Sequence, residues 1–191
     1  MNLLTAKEIQ KSYTEKALFT GIDLGVEEGD KIGIVGINGT GKSTLLRILA
    51  GLEEPDAGTV VRGSQVYVRY LPQEPVFPPG ITIYDYVVTA NKTEDNEWSI
   101  AGDSKTIMNR MGFPDESLVI DHLSGGQKKM VALAAALVAD CDILLLDEPT
   151  NHLNSEMVIW LEEALIQRKG ALAMVTHDRY FLDRVCSRIT E

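Results

Sequence analysis

Residues 36–43, Gly-Ile-Asn-Gly-Thr-Gly-Lys-Ser, place glycines, a lysine and a hydroxyl in the order GxxxxGKS. Glycines let the backbone curl so that successive N–H groups point at one anion, and a helix starting behind them adds the positive end of its dipole. Lys42 can reach the outer phosphates of a nucleotide, and Ser43 offers a hydroxyl to a divalent cation. Gly36, Asn38, Gly39, Thr40, Gly41, Lys42, Ser43 and the adjoining Thr44 are therefore candidate phosphate-binding positions. A second signal is the run Ile143-Leu-Leu-Leu-Asp147-Glu148-Pro149, in which an apolar stretch delivers two adjacent carboxylates. Asp147 suits Mg²⁺, and Glu148 suits the orientation and polarisation of a water. Alone, such a pair is usually a solvated strand end; beside a phosphate loop it is a reaction centre. A third is Leu123-Ser124-Gly125-Gly126-Gln127, where Ser124 caps a helix and two glycines bare its first amides. That makes a second anion site without a lysine, although by itself it reads as a capped helix after a loop.

The elements that must carry these residues follow from apolar periodicity. The run 31–35 reads as a buried strand, and a helical pattern from Ser43 is closed by Gly51. Alternation over 59–71 predicts antiparallel strands, and Pro72, Pro75, Pro78 and Pro79 mark a change of lobe. Helices are predicted at 83–89 and 104–111, with an exposed polar run at 91–97 between them. Met130, Val131, Leu133, Ala134, Leu137 and Val138 sit at helical spacing. A strand at 143–146, a helix over 155–169 stopped by Gly170, and a strand at 171–175 leading to Thr176 and His177 complete the pattern. Strand–loop–helix units with continuous apolar strands imply a parallel sheet covered on both faces.

A GxxxxGKS loop, LSGGQ and LLLDEP, in that order, resemble the ATP-binding cassette (ABC) superfamily. The resemblance covers essentially the whole chain. It implies an α/β fold of the P-loop NTPase type, an ABC nucleotide-binding domain with a parallel core sheet, an antiparallel β lobe and an α-helical lobe. The core with its β lobe would take residues 1–72 and 123–191, the helical lobe 80–122, and the whole chain 1–191 one domain. It further implies ATP and Mg²⁺ as ligands. Gln73 becomes the glutamine that joins the lobes and senses the metal and γ-phosphate, so that Ser43, Gln73 and Asp147 form the metal set. His177 becomes the histidine that contacts the γ-phosphate, and Tyr13 the aromatic that stacks on adenine. Lys42, Glu148 and His177 would be the catalytic residues, and Ser124, Gly125, Gly126 and Gln127 would contact the nucleotide held by another cassette. A lone chain should therefore be a poor ATPase.

The segments DEPTNHLN (147–154) and THDRYFLDRV (176–185) resemble the ABC-F branch, especially its Uup-like members. Such proteins are soluble and cytoplasmic, carry two cassettes in one chain, and act on ribosomes. The implied partners are a second cassette, in the same full-length chain or as a homodimer, and the ribosome. On this reading the 191 residues are the first cassette of a longer protein. There are two departures: Asn154 stands where the branch usually has aspartate, which would weaken a polar link across the dimer, and 91–97 is too short for the helical arm common in first cassettes. The energy subunit of a membrane transporter is the alternative. A chromosome-maintenance ATPase head would need long coiled coils between the loop and LSGGQ, and there is no room for them.

Composition excludes other classes. The net charge of −10 makes direct nucleic-acid binding dependent on a local basic patch working against the overall field. Cys141 and Cys186 are the two cysteines, and they lack CxxC spacing, so they read as small apolar fillers in a reducing compartment. No apolar run approaches the roughly 18 residues of a membrane span.

Overall fold

A computed structural model describes residues 1–14 and 17–191. The chain opens with β1 (Asn2–Ser12) and β2 (Ala17–Glu27), followed by β3 (Lys31–Ile34), α1 (Lys42–Leu49), β4 (Ala57–Arg62) and β5 (Val68–Leu71). A helical region holds α2 (Ile83–Val87) and α3 (Ile100–Arg110), and the chain returns through α4 (Gly125–Val138), β6 (Ile143–Asp147), α5 (Ser155–Gln167), β7 (Ala171–Val175), α6 (Arg179–Val185) and β8 (Arg188–Thr190).

Two sheets result. β2, β1 and β4 form an antiparallel lobe, while β5, β6, β7, β3 and β8 lie in that order in a parallel sheet. The parallel strands are short and apolar because both faces are covered. Side chains alternate faces along a strand. Accordingly Ile143 and Leu145 pack with α1 and the β lobe, whereas Leu144 and Leu146 pack with the helical layer of α2, α4 and α5. Each fully buried Leu or Ile of β6 contributes about 1.5–3 kcal/mol of transfer free energy, so this strand is the mechanical base for the carboxylates at its end.

The run 59–71 divides between the sheets. Ala57–Arg62 pairs antiparallel with β1, but Val68–Leu71 aligns parallel to β6, with Leu71 beside Leu146. The expectation of antiparallel strands therefore holds for β4 and fails for β5, because the two are edge strands of different sheets. The predicted helix at 83–89 ends at Val87 and tightens into a single 3-10 turn at Thr89–Asn91. Asn91 departs from the exposed run expected at 91–97. It is buried, and its Nδ2 donates to the carbonyls of Val87 (2.7 Å) and Ala135 (3.2 Å). The amide pins the helical region to α4. Asn91→Ala is expected to cost about 1–3 kcal/mol, because two buried carbonyls lose a donor. A urea midpoint unchanged from the parent protein would refute that role.

Both cysteines are free and partly buried. Burial pushes the Cys186 thiol up to about 11 and raises that of Cys141 as well, so both stay protonated fillers near neutral pH.

Candidate functional site

In a parallel sheet every strand points the same way, so the loops that follow the strands collect along one edge. Asp147 and Ile34 both align with Val175, and Leu71 aligns with Leu146. That register sets four segments side by side: Gln73 after β5, Asp147–Glu148 at the end of β6, Thr176–His177 after β7, and the Gly36–Ser43 loop after β3. Residues from all four line a cleft of about 440 Å³ together with Tyr13. The cleft gathers Tyr13, Asn38, Gly39, Gly41, Lys42, Ser43, Thr44, Gln73, Asp147, Glu148 and His177. A neighbouring hollow of about 580 Å³ shares Lys42 and His177 and takes in Gly36, but it contains neither carboxylate nor Gln73. The smaller cleft is therefore the one that unites the loop, both carboxylates and Gln73.

The phosphate loop has the backbone its glycines allow. Gly41 has φ 90° and caps α1, and a Cβ there would lie 2.8 Å from the Phe19 ring. Any other residue would be strained and would clash. A glycine cap has no side chain to satisfy the first amides of α1, which stay available to an anion. Lys42 bends back over the loop, donating from Nζ to the carbonyls of Gly36 (2.8 Å) and Ile37 (2.9 Å). Thr40 Oγ1 donates to the Ile37 carbonyl at 2.8 Å, bracing the turn.

Asp147 is buried. Its Oδ2 accepts from the Tyr70 hydroxyl at 3.3 Å, and its Oδ1 has no hydrogen-bond partner among the described residues. A buried carboxylate oxygen without a partner is costly unless something else satisfies it. The residue lines a cleft that Ser43 and Gln73 line as well. Three oxygen donors of that kind suit a hard cation such as Mg²⁺, which binds few protein groups and takes its remaining ligands from water or phosphate. The residues fit the ion. Tyr70 was not foreseen. Burial raises its pKa and the neighbouring Asp147 charge adds to it, so the phenol keeps its proton and donates.

Glu148 is a strained residue, with φ 53°, only 8% exposed. Left-handed backbone at a non-glycine residue persists where the surroundings over-determine it. Those surroundings are visible: its amide donates to the Val175 carbonyl at 2.8 Å, Oε2 accepts from the His177 amide at 3.3 Å, and Oε1 lies 3.1 Å from His177 Nε2. Carboxylate and imidazole are thus held as a pair at the sheet edge, the geometry of a base steered by a second group. Behind them Thr176 Oγ1 and Thr150 Oγ1 sit 3.1 Å apart and join the loops after β7 and β6.

Ser124, Gly125, Gly126 and Gln127 stand apart from this cleft. Ser124 caps α4 in a reciprocal box: its Oγ accepts from the Gln127 amide at 3.3 Å, and Gln127 Oε1 accepts from the Ser124 amide at 2.9 Å. A Cβ on Gly126 would sit 3.6 Å from that of His152, a residue with φ 70°. Lys129, one turn along α4, bridges Glu74 at 2.7 Å and His152 Nε2 at 3.3 Å. Asn154 accepts from the Met157 amide at 2.9 Å and caps α5, a task at which asparagine and aspartate are equal. The start of α4 and the Gly36–Ser43 loop thus lie in separate places on one chain, and only the loop contributes to the cleft.

The family model described as ABC transporter matches residues 19–151. The chain belongs to that family. It is an ABC-type ATP-binding domain, of the family of ABC ATPases. YfmR of Bacillus subtilis (strain 168), named as an uncharacterised ABC transporter ATP-binding protein, is 37% identical over an alignment of 227 residues, covering 100% of this chain and 36% of its own length. The energy-dependent translational throttle protein EttA of Escherichia coli (strain K12) is 35% identical, over 93% of this chain and 39% of its own length. The tylosin resistance ATP-binding protein TlrC of Streptomyces fradiae is 34% identical, over 98% and 42%. The chain spans well under half the length of these curated relatives. Among solved structures, the ATP binding subunit of an ABC transporter superposes with a TM-score of 0.87 at 22% identity, over 99% of this chain and 86% of that one, a likeness of fold. A complex of the archaeal ribosomal stalk protein aP1 with the ribosome recycling factor aABCE1 gives 0.81 at 30% identity, over 99% of this chain and 36% of that one.

Proposed function

We propose that residues 1–191 form a single cassette that binds Mg-ATP in the cleft between the Gly36–Ser43 loop and Asp147, and hydrolyses it when a second cassette completes the site. The observation that carries this reading is the convergence of Lys42, the partnerless oxygen of Asp147 and the Glu148–His177 pair on one sheet edge. The loop amides and Lys42 bind the phosphates. Ser43, Gln73 and Asp147 hold Mg²⁺, which when bound offsets the phosphate charge. Glu148, steered by His177, orients the attacking water and draws its proton. The Ser124 end of α4 caps the γ-phosphate held by another cassette, because within its own chain it does not reach the cleft.

The biological setting we infer is that of an ABC-F type factor acting on the ribosome. The segment DEPTNHLN, the throttle protein EttA among the relatives, and a neighbour that is a ribosome recycling factor support it. The alignment with YfmR runs over 227 residues while this chain has 191, so that relative carries residues without a counterpart here. We assign the difference to the short 91–97 segment, where the branch commonly carries its arm. Among the described residues no helix is long and apolar enough to cross a membrane. The test is co-sedimentation of the full-length protein with ribosomes. Glu148→Gln with Mg-ATP is expected to pellet with them, and ADP to release it. A protein that hydrolyses ATP yet leaves ribosomes alone in both states would remove the translational setting and keep the ATPase.

A further inference from the structure

Tyr13 lies just past the end of β1, and its residue is 57% exposed. An exposed tyrosine ordinarily turns its hydroxyl to water; this one is captured. The phenolic oxygen donates to Glu53 Oε1, accepts from Arg47 Nη2 at 2.9 Å, and lies 3.5 Å from Thr44 Oγ1. Arg47 Nε pairs with Glu53 Oε2 at 2.9 Å, and Arg47 Nη2 also donates to Thr44 Oγ1 at 3.3 Å. Lys11 closes the circuit: its ammonium is 3.3 Å from Glu53 Oε1, 3.2 Å from Asp56 Oδ1 and 5.7 Å from the centre of the Tyr13 ring. Asp56 Oδ2 in turn accepts from the Ser12 amide at 2.8 Å, fixing the residue before Tyr13.

The position of Arg47 gives this circuit its meaning. Arg47 lies on α1, the helix whose first residues are Lys42, Ser43 and Thr44. A ring tied to Arg47 is tied to the phosphate loop. Burial pushes the Glu53 carboxyl up, but hydrogen bonds from Tyr13, Arg47 and Lys11 outweigh it and hold it below the usual range. The pair therefore stays charged throughout neutral pH.

We propose that Arg47 and Glu53 are positioning residues for the nucleotide base: through the phenol of Tyr13 they fix its ring as a stacking platform at a set offset from the phosphate loop. The proposal rests on the cleft being the ATP site. A free ring would lose its rotamer freedom on stacking, and a ring already held has little left to lose. The tether thus acts on the base end of the ligand; at Thr44 it engages the side-chain hydroxyl and not the backbone amide offered to phosphate.

The test is calorimetric titration of the chain with Mg-ATP and, separately, with Mg-tripolyphosphate, which has the phosphates and no base. Tyr13→Phe and Glu53→Gln are each expected to weaken ATP binding about 3- to 10-fold, with tripolyphosphate binding unchanged as the sign of an intact loop. Because both remove one tether, the double variant is expected to be no worse than the weaker single. Arg47→Lys should recover less than half of the loss in Arg47→Leu, since lysine cannot span Glu53, Tyr13 and Thr44 with a planar fork. Tyr13→Ala is the reference for stacking itself. If Tyr13→Ala weakens ATP binding while Tyr13→Phe and Glu53→Gln do not, the tether is wrong and the base site stands. A parallel fall in tripolyphosphate affinity would mean that Arg47 and Glu53 support α1 generally, which also overturns the proposal. Unchanged ATP affinity in Tyr13→Ala would overturn the base site, and the tether with it.

Discussion

Lys42→Ala is expected to lose tight ATP binding, whereas Glu148→Gln keeps the binding and loses the hydrolysis. The two residues line the same cleft but touch different stages of the reaction. The Lys42 ammonium already lies within the loop, 2.8–2.9 Å from two of its carbonyls, and needs only to exchange them for phosphate oxygens. Its contribution is a charge-assisted contact to the bound nucleotide, so its removal falls on affinity, by about 10- to 100-fold. Glu148 is a carboxylate-bearing side chain beside the phosphates and adds nothing to their binding in the ground state. Its value arises only as the water attacks, and loss of such a group typically lowers turnover about 10²–10⁴-fold. The amide keeps the shape and the contact to the His177 backbone, so the strained loop should persist. Labelled-nucleotide binding and phosphate release, measured on both variants, separate the two effects. Near-normal turnover in Glu148→Gln would take Glu148 out of the mechanism.

The residues behind that prediction were legible in the sequence for a physical reason. A phosphate loop needs glycines at positions where another residue would be strained, and Gly41 at φ 90° against the Phe19 ring is such a position. Asp147 was legible because an apolar run of fixed direction ends at it; His177 follows a second such run, but its role came from the resemblance. Tyr70 was hidden because its contact with Asp147 depends on β5 lying next to β6, 77 residues apart in the chain. The expectation of antiparallel strands failed at Val68–Leu71 for the same reason, since its parallel partner β6 is distant in the chain. Asn91 was hidden differently: it begins a polar run, and only the approach of α4 turns its amide inward. The hydroxyl circuit of Tyr13 joins residues from β1, α1 and the loop before β4, and no local pattern announces it.

Glu148→Gln with Mg-ATP is expected to form a head-to-tail dimer, while ADP or no nucleotide leaves monomers. The expectation comes from the separation of the two surfaces proposed to bind the nucleotide. The Gly36–Ser43 loop and the capped start of α4 lie apart in one chain, and only the former lines the cleft. A nucleotide can touch both only if a second chain brings its own α4 to the first chain's cleft. The γ-phosphate would be the bridging group, held by Lys42 and the loop amides on one side and by the Ser124 hydroxyl and the amides of Gly125 and Gly126 on the other. Its loss removes the charge-assisted contacts that favour the closed pair. The amide at Glu148 prolongs the bridge by stopping hydrolysis. The capping box helps, because it holds Ser124 and the first amides of α4 in place before a partner arrives. Asn154 Oδ1 is engaged in capping α5, and the pair should depend on nucleotide rather than form on its own. Light scattering after size exclusion, with ATP against ADP, reads the result, and Ser124→Arg serves as the control because a bulky cation there blocks the approach. A dimer that persists in ADP, or survives Ser124→Arg, would belong to another interface and would break the link between the two surfaces.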